Sequence, residues 1–255
     1  MGRELVKIVE LDASPEQVWE AIATGPGISA WFVPHRVEER LGGTMSAQFG
    51  EGFEVSGEVR AWEPGKRILF GATEPPEGAA DYAFEFLVEG RDGGGTVLRF
   101  VQSGFLDEGW EDEYSSLDKG WDLFFFNLRS YLEHFAWQPV HNVVTMAFTK
   151  GSAAELWPGL YRGLGLSGRP AVGETVTLRP DGPPPISGVV DVAGDEFLGV
   201  RSTNGLHRIG AEGEAGCGVS AYHYFYGDPV DTESLTTAWQ HWLTAHAPAA
   251  QPANP

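Results

Sequence analysis

The pattern of apolar and polar residues predicts a long aromatic helix near the middle of the chain. Between Asp112 and Phe135, apolar residues recur at steps of three and four, which places them on one face of a helix. This face consists of Tyr114, Leu117, Trp121, Phe125, Leu128, Leu132 and Phe135, and it is widened by Phe124, Phe126 and Tyr131. Because strand-like segments precede the helix, we expect it to lie across a sheet, where its rings either close a core or cover a cavity.

Short segments before this helix predict antiparallel strands joined by tight turns. Apolar side chains fall at every second position from Tyr82 to Val88, so one face of that strand is aromatic. The other predicted strands are Glu4–Leu11, Val37–Leu41, Thr44–Phe49, Phe53–Trp62, Lys66–Thr73 and Thr96–Gln102. Ser14 and Gln17 predict a capped helix after the first strand, and a second helical turn is expected at Ile28–Phe32.

The second half of the chain repeats this order of elements. A strand at His141–Thr149 is followed by a second capping box, Ser152–Glu155, and then by more strands. These are predicted at Glu174–Leu178, Ile186–Val192, Phe197–Ser202, Leu206–Gly210 and Val219–Tyr226, with a closing helix at Asp231–Ala247. We therefore predict two tandem domains at residues 1–137 and 139–248, the second a degenerate copy, and a flexible tail at 249–255.

The charge and cysteine content restrict the class of protein. The chain of 255 residues carries 17 basic and 36 acidic side chains, a formal net charge of −19, which repels nucleic acids and anionic membranes. Its apolar runs are shorter than the roughly 18 residues of a membrane span, and its first residues do not resemble a secretion signal. A single cysteine, Cys217, excludes an internal disulfide framework, so we predict a cytoplasmic protein.

No residue spacing is typical of a metal site or of a nucleotide-binding loop. His241 and His246 lie five residues apart, which does not place them on one helix face. Residues Gly163–Gly168 have the spacing of a dinucleotide-binding loop, but a predicted helix precedes them where a strand is required. We interpret these glycines as a helix stop, and we expect neither a metal nor a cofactor.

Several sequence blocks in the first half follow the order found in a known superfamily. The blocks are Ser14–Trp19, Ile28–Phe32, Gly57–Val59, Pro64–Ile68, Thr96–Phe100, Ser103–Phe105 and Gly120-Trp121. Together they span roughly residues 3–135 and resemble the START-like, helix-grip (SRPBCC) superfamily. Within it, they are most similar to the branch of the C-terminal domain of the activator of heat shock protein 90 ATPase.

This resemblance implies an α+β helix-grip fold, in which a curved antiparallel sheet wraps around a long C-terminal helix with a cavity between them. The second half resembles the same fold only in the order of its elements. Members of the superfamily include lipid carriers, ligand-binding plant proteins, polyketide aromatase/cyclases and co-chaperones, so the fold does not fix the function. The co-chaperone relies on a separate N-terminal domain, and this sequence starts directly at the helix-grip segment, so we do not expect co-chaperone activity from the resemblance alone.

A cavity under the long helix would be lined mainly by aromatic side chains. The predicted ligand-binding residues are Trp31, Phe32, Trp62, Phe70, Tyr82, Phe84, Phe86, Arg99, Trp121, Phe125 and Leu128. His35, Gln102 and Asp122 are further polar candidates at the cavity mouth, where Arg99 would pair with a carboxylate or phenolate. An arginine in such a strand more often lies on its outer face, and that position is the alternative for Arg99. The same aromatic residues also suit a filled core, and His35, which follows Pro34, also suits a solvated loop.

Three functions remain open. We favour a non-enzymatic binding protein whose first domain holds a small hydrophobic or aromatic molecule, with the second domain structural or mediating a homodimer. A polyketide aromatase/cyclase-like enzyme is the first alternative, and it requires Arg99, Tyr82 or Asp122 to point into the cavity. A co-chaperone-like or stress-related interaction module, with a chaperone ATPase as partner, is the second.

Overall fold

The computed structural model describes residues 4–73, 82–105, 110–214 and 216–247. The chain divides into two compact units: the first comprises residues 1–48 and 53–138, and the second comprises 49–52 and 139–255. The division between Gln138 and Pro139 lies next to the boundary predicted from the sequence. The predicted tail at 249–255 lies outside the described residues.

The first unit contains one antiparallel sheet and three helices. Its strands are β1 (Glu4–Leu11), β2 (His35–Val37), β3 (Thr44–Gln48), β4 (Glu54–Glu63), β5 (Arg67–Ala72), β6 (Ala83–Gly90) and β7 (Thr96–Ser103). Its helices are α1 (Pro15–Ala23), α2 (Gly25–Ser29) and α3 (Trp110–His134). The strand order is β1-β7-β6-β5-β4-β3-β2, so the first strand closes the sheet beside the last one.

Side-chain caps fix the start of each short helix. The Ser14 hydroxyl accepts from the backbone N–H of Gln17, whose side chain accepts from the backbone N–H of Ser14, which confirms the predicted capping box. The second helix was predicted at Ile28–Phe32 and instead begins at Gly25. Thr24 causes the difference, because its hydroxyl accepts from the N–H of Gly27 and caps a helix that starts at Gly25.

The second predicted strand is also displaced. It was expected at Val37–Leu41, whereas β2 covers His35–Val37. The Glu38 carboxylate accepts from the backbone N–H of Thr44 and from the guanidinium of Arg40, and these bonds close a turn immediately after Val37. A polar side chain that satisfies the turn therefore ends the strand early.

Helix α3 lies against the sheet through the face predicted from its periodicity. Trp121, Phe125, Leu128 and Phe135 are all buried, while Asp122 on the opposite side is exposed. Beneath the helix, the strands present Phe86 and Phe100, whose rings are also buried. Burial of such large rings is a main source of stabilisation in the first unit.

The second unit repeats the same plan with a shorter closing helix. Its strands are β8 (Val140–Thr149), β9 (Thr175–Leu178), β10 (Ile186–Ala193), β11 (Phe197–Ser202), β12 (Gly205–Glu212) and β13 (Cys217–Tyr226). Its helices are α4 (Ala153–Gly163) and α5 (Thr232–His246). The strand order β8-β13-β12-β11-β10-β9 again pairs the first strand with the last. The predicted α+β class and the two tandem copies are therefore confirmed.

The core of the second unit is packed mainly by aliphatic residues and the three indoles of Trp157, Trp239 and Trp242. Helix α5 buries Trp239, Trp242 and Leu243 against the sheet. Helix α4 ends at Gly163, and Gly165 then adopts a φ of +75°, a conformation that favours glycine. These glycines form the helix stop predicted from the sequence.

Candidate ligand-binding site

Aromatic rings from three parts of the first unit meet under α3. The rings of Trp31 and Phe32, which follow α2, lie 5.9 Å from Phe125 and 4.9 Å from Trp121, respectively, between ring centres. From the sheet, the Phe100 ring lies 4.1 Å from that of Trp121. The centre of α3 is thus in direct ring contact with both the sheet and the α2 segment.

Three more of the predicted aromatic residues, Phe70, Phe84 and Phe86, extend this cluster along the sheet. Phe84 connects Phe70, at 5.3 Å between ring centres, with Phe86, at 6.1 Å. Trp62 is half-buried, and its ring lies 5.2 Å from that of Trp19 on α1. Leu128 is fully buried on the same face of α3 as Trp121 and Phe125.

Phe100 and Phe124 belong to this cluster and were not among the predicted site residues. Phe124 lies 4.5 Å from Phe32 between ring centres. The alternation of buried residues along β7, with Leu98 and Gln102 on either side of Phe100, would have identified Phe100.

Two of the polar candidates point away from the rings. Arg99 is exposed, because it lies between Leu98 and Phe100 on β7 and successive side chains of a strand face opposite sides. Asp122 is also exposed, and its carboxylate forms an ion pair with Lys7 at 2.6 Å. The predicted placement of Arg99 and Asp122 at the cavity mouth is therefore wrong.

Gln102 is a polar group enclosed by the aromatic cluster. It is 1% exposed, and its Oε1 accepts from the indole N–H of Trp121 at 2.6 Å. Its Nε2 donates to the hydroxyl of Tyr82 at 2.9 Å. The three side chains form a hydrogen-bonded line from α3 through β7 to Tyr82, which holds the indole and the phenol in fixed orientations.

His35 is buried in β2 and is not the solvated loop residue that its position after Pro34 suggested. Its Nδ1 lies 2.7 Å from the carbonyl oxygen of Val33, so Nδ1 carries the proton and donates. Burial lowers its pKa from 6.5 to about 4, so the ring is neutral at pH 7. Its Nε2, an acceptor in this tautomer, has no hydrogen-bond partner among the described residues.

The second unit has an open pocket beside α5 with a volume of about 500 Å3. It is lined by Asp181, Gly182, Ala238, His241, Trp242, Ala245 and His246. Residues five apart on a helix are separated by about 140°, yet His241 and His246 both border this pocket. Across the described ranges, no three His, Cys, Asp or Glu side chains are arranged to bind a metal ion.

A comparison with protein families finds a similarity in the first unit. Residues 12–133, just under half of the chain, match the family described as Activator of Hsp90 ATPase homolog 1-like protein. The first unit is therefore similar to this family over residues 12–133. The match includes both short helices and most of α3, and it confirms the resemblance predicted from the sequence.

Solved structures similar to the first unit cover about half of the chain. Protein MLL2253 from Mesorhizobium loti is 25% identical, over 51% of this chain and 97% of its own, with a TM-score of 0.47. The Aha1 dimer from Colwellia psychrerythraea is 22% identical, over 51% of this chain and 96% of its own, with a TM-score of 0.45.

A third structure extends over both units. The di-domain ARO/CYC BexL from the BE-7585A biosynthetic pathway is 14% identical, over 98% of this chain and 100% of its own, with a TM-score of 0.47. No curated protein sequence matches the chain. Within the part of the chain that the structure describes, no helix is both long and apolar enough to cross a membrane.

Proposed function

We propose that the first unit binds a small hydrophobic or aromatic molecule between α3 and the sheet. The observation that carries this proposal is the line of Trp121, Gln102 and Tyr82. Ligand sites are mostly apolar, with a few placed polar groups that orient the ligand. Here a buried amide lies in an otherwise aromatic wall and fixes the orientation of an indole and a phenol, which are themselves suitable surfaces for a planar molecule.

The ring contacts determine how such a molecule would enter. Because Trp121 touches both Phe32 and Phe100, a ligand under the centre of α3 has to displace at least one of these rings. Tyr82 is only half-buried, so the Tyr82 end of the hydrogen-bonded line is the accessible one. We place the ligand at that end, against Tyr82, Gln102 and Phe84.

Of the two alternatives, the enzymatic one retains only one of its three candidate acid–base residues. An aromatase/cyclase-like reaction needs acid–base groups inside the cavity, and both Arg99 and Asp122 face outward. Tyr82 is the one inward candidate that remains of the three. For the interaction-module alternative, a chaperone ATPase partner and a homodimer remain expectations without a specific structural observation in their favour.

The test is a binding titration of the full chain with 2-naphthol, followed by NMR signals of the Trp121 indole and the Gln102 amide. We expect saturable shifts of both signals in the wild-type protein. Gln102→Leu removes the hydrogen bonds of Gln102 to Trp121 and Tyr82. It should weaken binding about tenfold, the order expected for one lost hydrogen bond. Gln138→Leu, the same substitution at an exposed glutamine, should leave binding unchanged.

The proposal fails if 2-naphthol produces no saturable shift of the Trp121 signal up to its solubility limit. It also fails if Gln102→Leu and Gln138→Leu bind equally well, because the ligand would then not lie beside the buried amide. A ligand that shifts signals only in the second unit would leave the first unit without the proposed role.

A further inference from the structure

A row of polar side chains crosses the helix-facing side of the second sheet. Ser202, His207 and His223 lie on the neighbouring strands β11, β12 and β13, and His207 pairs directly with His223 in the strand register. Ser202 Oγ is 3.1 Å from His207 Nε2, and His207 Nδ1 is 3.1 Å from His223 Nδ1. Both imidazoles are almost fully buried, and the His223 ring lies 4.2 Å from that of Trp239 on α5.

The hydrogen bonds of this row indicate where its protons lie. The Ser202 hydroxyl lies 3.2 Å from Asn204 Oδ1 and 3.4 Å from the Gly205 carbonyl oxygen. We assign its proton to one of these two acceptors, so that Oγ accepts from His207 Nε2–H at 3.1 Å. A neutral imidazole protonated at Nε2 accepts at Nδ1, which requires His223 to donate from its own Nδ1. His223 Nε2 is then an unprotonated acceptor.

This acceptor has no hydrogen-bond partner among the described residues, and neither does a second buried polar atom on the same side of the sheet. Thr145 on β8 is 1% exposed, and its Oγ1 is that second atom. Val143 pairs with His223, and Thr145 lies two residues further along the strand, so both strands direct these side chains to the side covered by α5. Buried polar atoms are nearly always hydrogen-bonded, so two unpartnered atoms on one face indicate a place for a hydrogen-bonding molecule.

Ser202, His207 and His223 are arranged like the nucleophile, the general base and the orienting group of an acyl-transfer enzyme. The protonation properties of the two histidines, however, do not support acyl transfer. Burial, reinforced by the charge of Arg208, lowers the pKa of His207 to about 3, which makes it a weak base at neutral pH. His223 is neutral and cannot stabilise a positively charged His207 as a carboxylate would. The row is therefore suited to binding.

We propose that the second unit has its own ligand site, which takes a small aromatic alcohol whose O–H donates to His223 Nε2. The rings of Trp239 and Phe225 lie beside the two histidines and supply the apolar surface. Thr145 Oγ1, the other unpartnered buried atom on this face, is a further polar group available to the ligand. This site uses none of the residues proposed for the first unit. Each of the two proposals can therefore be tested without the other.

The direct test uses the full chain with 15N-labelled histidine, and phenol and toluene as probes. In the ligand-free protein, we expect NMR to show that His223 is protonated at Nδ1 and unprotonated at Nε2. Phenol should shift the Nε2 resonance of His223 saturably, and toluene, which has the ring but no O–H, should bind about tenfold more weakly. The proposal is overturned if His223 carries its proton on Nε2, if phenol leaves the resonance unchanged, or if toluene shifts it equally.

Two matched variants locate the probe. His223→Phe keeps a ring against Trp239 and removes the acceptor, so the phenol-induced shift of His207 should be lost. His246→Phe replaces another imidazole stacked on an indole, that of Trp242 at 4.5 Å, and should preserve the shift. Loss of the shift in His246→Phe alone would place phenol in the open pocket beside α5 and would overturn the proposal.

The first unit has its own reporter, the His35 resonance, so binding there is distinguished from binding in the second unit. A response of His35 without a response of His223 would support the first-unit site and overturn this one. If His223→Phe does not fold, the tautomer of His223 and the comparison of phenol with toluene in the wild-type protein still decide the question.

Discussion

At the scale of single residues, the two units share an unusual feature, which is neutral histidine in the interior. His35 in the first unit and His207 and His223 in the second are each less than a tenth exposed. Burial lowers the pKa of all three, to about 4 for His35 and to about 3 for His207. A buried imidazole stays neutral because the interior cannot solvate its charge, whereas the unfolded chain can.

We expect the first unit to lose stability as the pH falls below 6.5. Above pH 6.5, His35 is neutral in both the folded and the unfolded protein. Below pH 6.5, the unfolded protein binds a proton at His35, whereas the folded protein binds one only near pH 4. From His35 alone, the free energy of unfolding should fall by about 2 kcal/mol between pH 7 and pH 5. Amide hydrogen exchange within the first unit measures this loss.

His35→Phe should remove the contribution of His35 to the pH dependence of the free energy of unfolding of the first unit. His241→Phe, at an exposed position in the second unit, serves as the control and should leave the profile unchanged. If His35→Phe kept the full pH dependence, the loss would have to come from another group.

The second unit contains a buried ion pair that should be sensitive to a single substitution. The fully buried guanidinium of Arg208 donates from Nη1 and Nη2 to the two carboxylate oxygens of Asp191, at 2.8 and 3.0 Å. Asp191→Asn leaves this charge without its counterion and should destabilise the second unit by about 3–5 kcal/mol. Urea unfolding of the second unit measures the change.

The exposed pair of Arg169 and Asp195 supplies the control. Its carboxylate side chain is 84% exposed, so Asp195→Asn should cost less than about 1 kcal/mol. Equal effects of Asp191→Asn and Asp195→Asn would show that burial does not determine the contribution of these ion pairs.

At the scale of elements, the periodicities of the sequence predicted most helices and strands closely. The predicted helix Asp112–Phe135 is α3, Trp110–His134, because seven apolar residues at helical spacing allow only one buried face. The differences occur at short elements whose ends depend on a single polar side chain. Thr24 starts α2 early and Glu38 ends β2 early, and neither effect has a periodic signal.

The close approach of α1 and α2 should make Gly27 sensitive to substitution. A Cβ atom added to Gly27 would lie 2.0 Å from the carbonyl oxygen of Glu20 and 2.9 Å from the Cα of Ala21, both backbone atoms that cannot move aside. We therefore expect Gly27→Ala to lower the free energy of unfolding of the first unit by about 1–3 kcal/mol. Chemical denaturation measures the loss.

Gly120 in α3 is the matched control, since a Cβ added there meets open space. Gly120→Ala should stabilise the first unit by about 0.5–1 kcal/mol, because alanine is the better helix former. Stabilisation by Gly27→Ala, or destabilisation by Gly120→Ala, would contradict the packing described for these two positions.

At the scale of the whole molecule, the two units should respond separately to substitution. Gly27 belongs to the first unit and Asp191 to the second. Effects at positions without shared partners are usually additive, so in the double variant Gly27→Ala/Asp191→Asn each unit should show the loss measured in its single variant. Hydrogen exchange resolved by residue provides both values, and a loss in the first unit caused by Asp191→Asn alone would refute this separation.

The sequence by itself determined most elements, their order and the family that the first unit resembles. Helical and strand periodicities are local, because they depend on which neighbouring residues a single element must bury. The same is true of the capping boxes at Ser14 and Ser152, in which each partner lies three residues from the other. The aromatic face of α3 and the strand containing Phe84 and Phe86 could therefore be predicted without a structure.

Only the tertiary structure decided how the polar residues are placed. Arg99 and Gln102 lie three residues apart on β7 and face opposite sides, and which side is inside depends on where α3 packs. His35 is enclosed by segments that its own sequence neighbourhood does not reveal, and Ser202, His207 and His223 meet because three strands pair in one register. Such contacts join residues that are distant in sequence, and no local periodicity records them.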